Sequence, residues 1–140
     1  MSYPVRDARR RIRDEHTDVV EAIGHCADRV AQPWDTARTT DRDAVVEGQR
    51  QVLEASGLLE RLPVVLSDVV TATGYSLPAR PVAGPPYVVV TSRGPMLRAT
   101  IDPGRLVIRF DVFEVVRDGE PRRPPAYRRR NGVDVIVSLE

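Results

Sequence analysis

The chain predicts an α+β fold, with three N-terminal helices packed on one face of a C-terminal antiparallel meander sheet of four to five strands. Three observations carry this. Apolar residues recur with a helical period up to about residue 74 and with period 2 after residue 86. The switch falls on "YSLPARPVAGPP" at 75–86, which holds four of the twelve prolines and has no room for helix. Beyond it, short β-rich runs are separated by the turn signals "RGP" and "DPG". The 140 residues then form one domain, with a helical part at 1–74, a connector at 75–86 and a sheet part at 87–140.

The first helix is expected from about Val5 to Gln32. Val5, Ile12, Val19 and Cys26 recur every seven residues, with Arg9, His16, Ile23 and Val30 four positions after each. Together with Ala8 and Ala27 they trace one stripe, which Pro33 ends. As one rod it would be about 40 Å long, with a weak point at Gly24. In the second helix Val45, Val46, Val52 and Leu53 supply the buried side, Thr40 with Asp43 the cap, and Gly57 the stop. "LLERLPVVLSDVVTATG" predicts a third helix, kinked or restarted at Pro63, with Leu62, Leu66, Val69 and Thr73 on one face.

"YVVVTS", "MLRATID", "RLVIRFDVFEVV" and "VDVIVSL" read as strands. In "DPG" at 102–104, proline is expected at the first central turn position and glycine at the next. Leu106, Ile108, Phe110 and Val112 face one way until Phe113 and Val115 break the alternation, which predicts a bulge near 112–113 or a section covered on both sides. The last strand should bury Val133, Val135, Val137 and Leu139 behind Asp134 and Ser138.

"PPYVVVTSRGPMLRATIDPGRLVIRFDVFEV" together with "RIRDEHTDVVEAI" resembles short uncharacterised proteins of salt-loving archaea. That resemblance spans most of the chain and implies no catalytic motif and no activity.

Composition narrows the function classes. Apolar runs stop at about five residues, far short of a membrane span, and no apolar signal-peptide region follows the basic start. One cysteine cannot form an internal disulfide, so a reducing cytoplasm is expected. All 21 basic residues are arginine, which a GC-rich genome explains without function and which selection for bidentate oxyanion contacts would also explain. A formal net charge of +1 argues against a protein that coats polyanions.

"EAIGHCADRV" at 21–30 raises a metal or thiol site and then lowers it. His16 and His25 fall on opposite sides of a helix, and Glu21, His25 and Asp28 read as a surface cluster rather than a metal site. Cys26 lies in the stripe as a small hydrophobe. His16 reads as a half-buried, hydrogen-bonded residue, or as a pH-sensitive contact between helices. The second candidate is an anion or nucleic-acid surface built from Arg6, Arg10 and Arg13 on the first helix and from Arg122, Arg123, Arg128, Arg129 and Arg130 near the C-terminus, with Tyr127 free to stack on a base. Arginines in a first helical turn oppose the macrodipole at a cost of about 0.3–1 kcal/mol, which use could explain. The third is a homodimer through the first helix, whose interface would comprise Val5, Ile12, His16, Val19, Ile23, Cys26 and Val30, the alternative being that this helix is buried against its own sheet. Trp34 should cover the end of the helical layer, "PARP" is plain linker, and "TSRGP" is a hairpin turn.

The reading is therefore a small cytoplasmic, non-enzymatic protein acting through protein contacts, with no catalytic residues, metal or cofactor. A nucleic-acid-binding accessory protein is the alternative, and a small-molecule enzyme comes third.

Overall fold

Helical periodicity in the first half is realised as four helices rather than three: α1 (Tyr3–Glu15), α2 (Thr17–Ala31), α3 (Arg42–Ala55) and α4 (Leu58–Ala72). The computed structural model describes residues 3–117, 119 and 123–140. Arg122, one of the proposed anion contacts, lies outside the described residues.

The extra helix arises because the first rod breaks at His16, whose φ of −125° and ψ of 25° leave the helical region. The bend is confined to that residue, since the His16 N–H still reaches the Ile12 carbonyl and the Val20 N–H the His16 carbonyl. The apolar stripe continues through the bend. Val5, Ala8 and Ile12 on α1 and Val19, Ile23, Cys26, Ala27 and Val30 on α2 are all buried. They join one core cluster with the sheet residues Leu97, Leu106, Ile108 and Phe110. This corrects the expected dimer interface: Val5, Ile12, Val19, Ile23, Cys26 and Val30 are covered by the chain's own sheet and helices, and His16 is half-buried. Burying these side chains inside the chain leaves none of that apolar area for a second copy.

The cap of α3 is Asp41, which accepts from the Ala44 N–H at 3.1 Å, and not Thr40. Val45 and Leu53 are buried on α3, Val46 and Val52 only partly. Gly57, at φ 78°, turns the chain into α4, which runs through Pro63 without restarting.

Strand β1 (Arg38–Thr39) lies between α2 and α3, and β2 (Val88–Val90), β3 (Pro95–Ile101), β4 (Gly104–Val116) and β5 (Ala126–Leu139) follow α4. All pairs are antiparallel, in the order β1-β5-β4-β3-β2. The last four form the meander, and β1 adds to the side of β5. Alternation puts Leu97, Ala99, Ile101, Leu106, Ile108, Phe110 and Val137 on the face that meets the helices, all buried. Met96, Arg98, Thr100, Arg105, Val107, Arg109, Asp111, Asp134, Ile136 and Ser138 fall on the outer face. Val133, Val135 and Leu139 are only half-buried, short of the expected burial.

Two turns differ in detail. The β3–β4 hairpin pairs Ile101 with Gly104, so Asp102 and Pro103 occupy the turn centre, one residue earlier than expected. Gly104 instead serves a close approach, because a Cβ there would stand 2.5 Å from the Glu140 carbonyl oxygen. The 91–94 turn closes β2 onto β3, with Thr91 and Gly94 exchanging backbone hydrogen bonds.

The bulge falls where the broken alternation put it. Asp111 pairs with Asp134 and Phe113 with Arg129, so Val112 alone faces residues 130–133. The N–H groups of Val112 and Phe113 both donate to the Arg93 carbonyl, at 2.7 and 3.0 Å. Trp34 packs on Phe113 with ring centroids 5.6 Å apart.

Candidate functional site

Arg128, Arg129 and Arg130 lie in the first part of β5, and the ladder alternation sends neighbouring side chains to different faces. Tyr127 turns inward and is buried, so it offers no stacking surface. Arg128 points outward and pairs with Glu114 at 2.6 Å. Arg130 lies 3.7 Å from Asp134.

Arg129 turns toward α2, and its donors are spent there. Nε donates to Asp28 Oδ1 at 2.9 Å and Nη2 to the Gly24 carbonyl at 3.1 Å. Nη1 donates to the carbonyls of Val112 at 3.1 Å and Gly132 at 2.8 Å, and to that of Arg130. A guanidinium has five N–H groups, and all its nitrogens are engaged. Arg129 is thus a staple joining helix, bulge and β5, and an incoming phosphate would have to displace these bonds. The sequence held one signal, a glycine inside a helix. A Cβ on Gly24 would stand 3.2 Å from Val133 Cγ2 and 3.4 Å from Arg129 Nη2, so Gly24 opens the path to its own carbonyl.

On α1 the picture is looser. Arg6 lies over the Tyr3 ring at 4.7 Å, Arg10 is exposed, and Arg13 is 3.9 Å from Asp14. Arg123 is exposed. Arg128 pairs with Glu114 on the outer face whereas Arg129 reaches α2, so the C-terminal cluster is itself divided between the two faces of the sheet.

Sequence reasoning missed Asp68. Arg11 grips Asp68 with two bonds, at 2.8 and 3.0 Å, while His16 Nε2 lies 2.6 Å from Asp68 Oδ2. His16 therefore sits at a contact between α1 and α4, at the bend. The Arg11 hydrogen bond, aided by His16 and opposed by partial burial, holds the Asp68 carboxyl below the usual aspartate range. A group depressed in the folded state stabilises it above the unfolded pKa, and this contribution disappears as the pH falls through the folded value. Asp68→Asn should lower the melting temperature at pH 7 and flatten its decline on acidification below the ordinary value of 3.8. Thermal melts of both proteins across that window check this; parallel acid limbs would refute it.

Cys26 is buried, with Ser56 Oγ 3.7 Å from its sulfur. It lines a shallow depression of about 200 Å³ with His25, Arg29 and Arg61. His25 itself is exposed. Among the described residues no group of three or more His, Cys, Asp or Glu is placed to hold a metal ion, which includes Glu21, His25 and Asp28. On the outer face Asp111 is almost fully buried and accepts from Arg109 at 2.6 Å, which raises the Arg109 pKa.

Among the described residues, one stretch of β5 backbone has no strand on one of its sides. Arg105 and Glu140 exchange both hydrogen bonds, so Ser138, Ile136 and Asp134 also aim their backbone groups at β4. Val133, Val135, Val137 and Leu139 therefore aim theirs away from β4. β1 pairs with β5 only at Tyr127 and Arg128, so among the described residues no strand meets that outer edge over 133–139. Beside it runs a groove of about 330 Å³ whose walls are Ile12, Val20, Val133 and Val135, with Arg9 and Arg13 at the rim.

Among the described residues no helix is long and apolar enough to cross a membrane. No curated protein and no solved structure matches the chain. A family model described as a domain of unknown function, DUF7988, matches residues 6–140, and the chain belongs to that family.

Proposed function

We propose that the protein works through protein contacts rather than catalysis, and that its contact surface is the outer edge of β5, which pairs antiparallel with β5 of a second copy. The observation that carries this is the row of backbone groups on Val133, Val135, Val137 and Leu139 that no strand meets among the described residues. Long apolar edges of this kind are templates for another strand, and proteins ordinarily blunt them. β2, at the other edge, has only three residues; this stretch of β5 has one charge, Asp134, in "VDVIVSL".

Self-pairing fits because the strand complements itself. With a two-fold axis at Ile136, Val135 meets the partner's Val137 and Val133 the partner's Leu139, so every outward residue finds an outward partner. Asp134 then faces the partner's Ser138, and no like charges oppose each other. A register centred on Val137 would set Asp134 against the partner's Glu140, which disfavours it. The partner's Val133, Val135 and Val137 would point to the helix side, where the groove walled by Ile12 and Val20 is apolar. The titratable groups with displaced pKa values support a non-catalytic reading. Arg11, Asp18, Asp68 and Arg109 are each displaced chiefly by an ion-pair partner. The alternative of nucleic-acid binding retains mainly the α1 arginines.

Sedimentation velocity over a concentration series tests the proposal, with a concentration-dependent dimer as the expected result. Ile136→Lys and Ile136→Asp should each shift the protein to monomer, by setting like charges together at the axis, and mixing the two should restore a dimer. Val135→Pro removes one outward N–H while sparing the bonds to β4, and should also give monomer. A wild-type monomer at every concentration, or an unchanged dimer in both Ile136 variants, would sink the reading.

A further inference from the structure

Near the β3–β4 hairpin lies a cavity of about 300 Å³, walled on one side by Leu77, Pro78 and Pro86 of the connector with the adjoining Tyr87, and on the other by Arg98, Thr100 and Arg105. We propose that it binds a small molecule carrying a phosphate or carboxylate, with the oxyanion between the two guanidinium groups and the organic body against the connector. This does not depend on the dimer, which uses the outer edge of β5.

The argument rests on how arginines are treated across one sheet face. Arg109 and Arg128 on the outer face each hold a carboxylate at 2.6 Å, Asp111 and Glu114 respectively. Arg98 and Arg105 share that face and line one cavity, yet neither forms an ion pair among the described residues. Glu140 lies across the ladder from Arg105 but joins it only through backbone hydrogen bonds. Two cations facing one cavity repel, and an anion between them relieves that cost.

The donors are also prepared. The Arg98 N–H donates to the Tyr87 carbonyl at 2.8 Å, and its Nε donates to the Pro86 carbonyl at 3.3 Å. One end of the guanidinium is thereby tethered, and both Nη groups stay open for a paired contact to an oxyanion. Thr100 stands directly opposite Arg105 in the β3–β4 register, two residues from Arg98, and adds a hydroxyl to the same cavity wall. The cavity is at the small end of the range for ligand pockets, with an apolar wall and convergent polar groups. Arginine's planar fork suits either oxyanion, so the arginine pair fixes the shared chemistry.

Amide NMR titrations at constant ionic strength with inorganic phosphate, phenyl phosphate and benzoate test this. The expected result is saturable shifts at Tyr87, Arg98, Thr100 and Arg105 with at least one organic probe. Tighter phenyl phosphate assigns a phosphate ligand, and tighter benzoate a carboxylate. Arg105→Gln, at an exposed side chain with no bonds to lose, should weaken binding about tenfold or more. Arg98→Gln should do the same, and the double variant should not bind. The proposal is overturned if no probe saturates, if the shifts map elsewhere, or if the folded double variant binds as well as wild type.

Discussion

Arg129→Ala should destabilise the protein by about 2–4 kcal/mol, several times the effect of removing either neighbouring arginine. Four carbonyl groups and Asp28 lose their donor at once, and Gly24 and Val112 are buried, so water cannot fully replace it. Arg128 and Arg130 hold part-exposed carboxylates, and exposed pairs contribute about 0–1 kcal/mol. Arg129→Lys should recover only part of the loss, because one ammonium cannot span acceptors on α2, β4 and β5. Urea denaturation reads this as a drop in midpoint at constant slope. Equal losses for Arg128→Ala, Arg129→Ala and Arg130→Ala would refute the staple. The prediction also changes how a polyanion-binding assay must be read: neutralising all three arginines would weaken the fold, so lost binding would not identify a contact surface.

Gly94→Ala should cost more still, about 4 kcal/mol or loss of folding. A Cβ at Gly94 would stand 1.8 Å from the Phe110 carbonyl oxygen and 3.0 Å from its carbon, and its φ of 154° adds strain. The obstacle is backbone on a buried strand, so no rotamer change relieves it. Relief would require β4 to move away from the 91–94 turn. That turn supplies the Arg93 carbonyl to the bulge and the Thr91 carbonyl to Gln49 on α3, at 2.8 Å, so both contacts would suffer. Gly84→Ala is the comparison: a Cβ there meets nothing within 4 Å, and its effect should stay within about 0.5 kcal/mol. Soluble yield and thermal melts distinguish the two; a Gly94→Ala protein as stable as wild type would mean the turn and β4 are not this close.

Much of the fold was legible because its signals are local. The stripe from Val5 to Val30 and the inward rows of β3 and β4 follow from side-chain direction alone, and their apolar members are buried as the spacing required. The bulge was legible too, since Phe113 and Val115 break a period that a regular strand would keep. The candidate surfaces were less so. Arg128, Arg129 and Arg130 are consecutive and identical, and nothing within the run says which one meets a helix about a hundred residues earlier in the chain.

By itself, then, the sequence determined where helix gives way to strand, which side of most elements is apolar, and that Cys26 is packing. Tertiary structure alone decided that the first rod bends at His16, because the bend is held by Asp68 from a helix some fifty residues away. It alone set Arg129 as a staple, Arg98 and Arg105 around one cavity, and β5 as an edge for most of its length. The physical reason is range. Periodicity records the solvent each residue meets, whereas ion pairs, strand neighbours and unpaired edges depend on which distant segments the closed fold brings together.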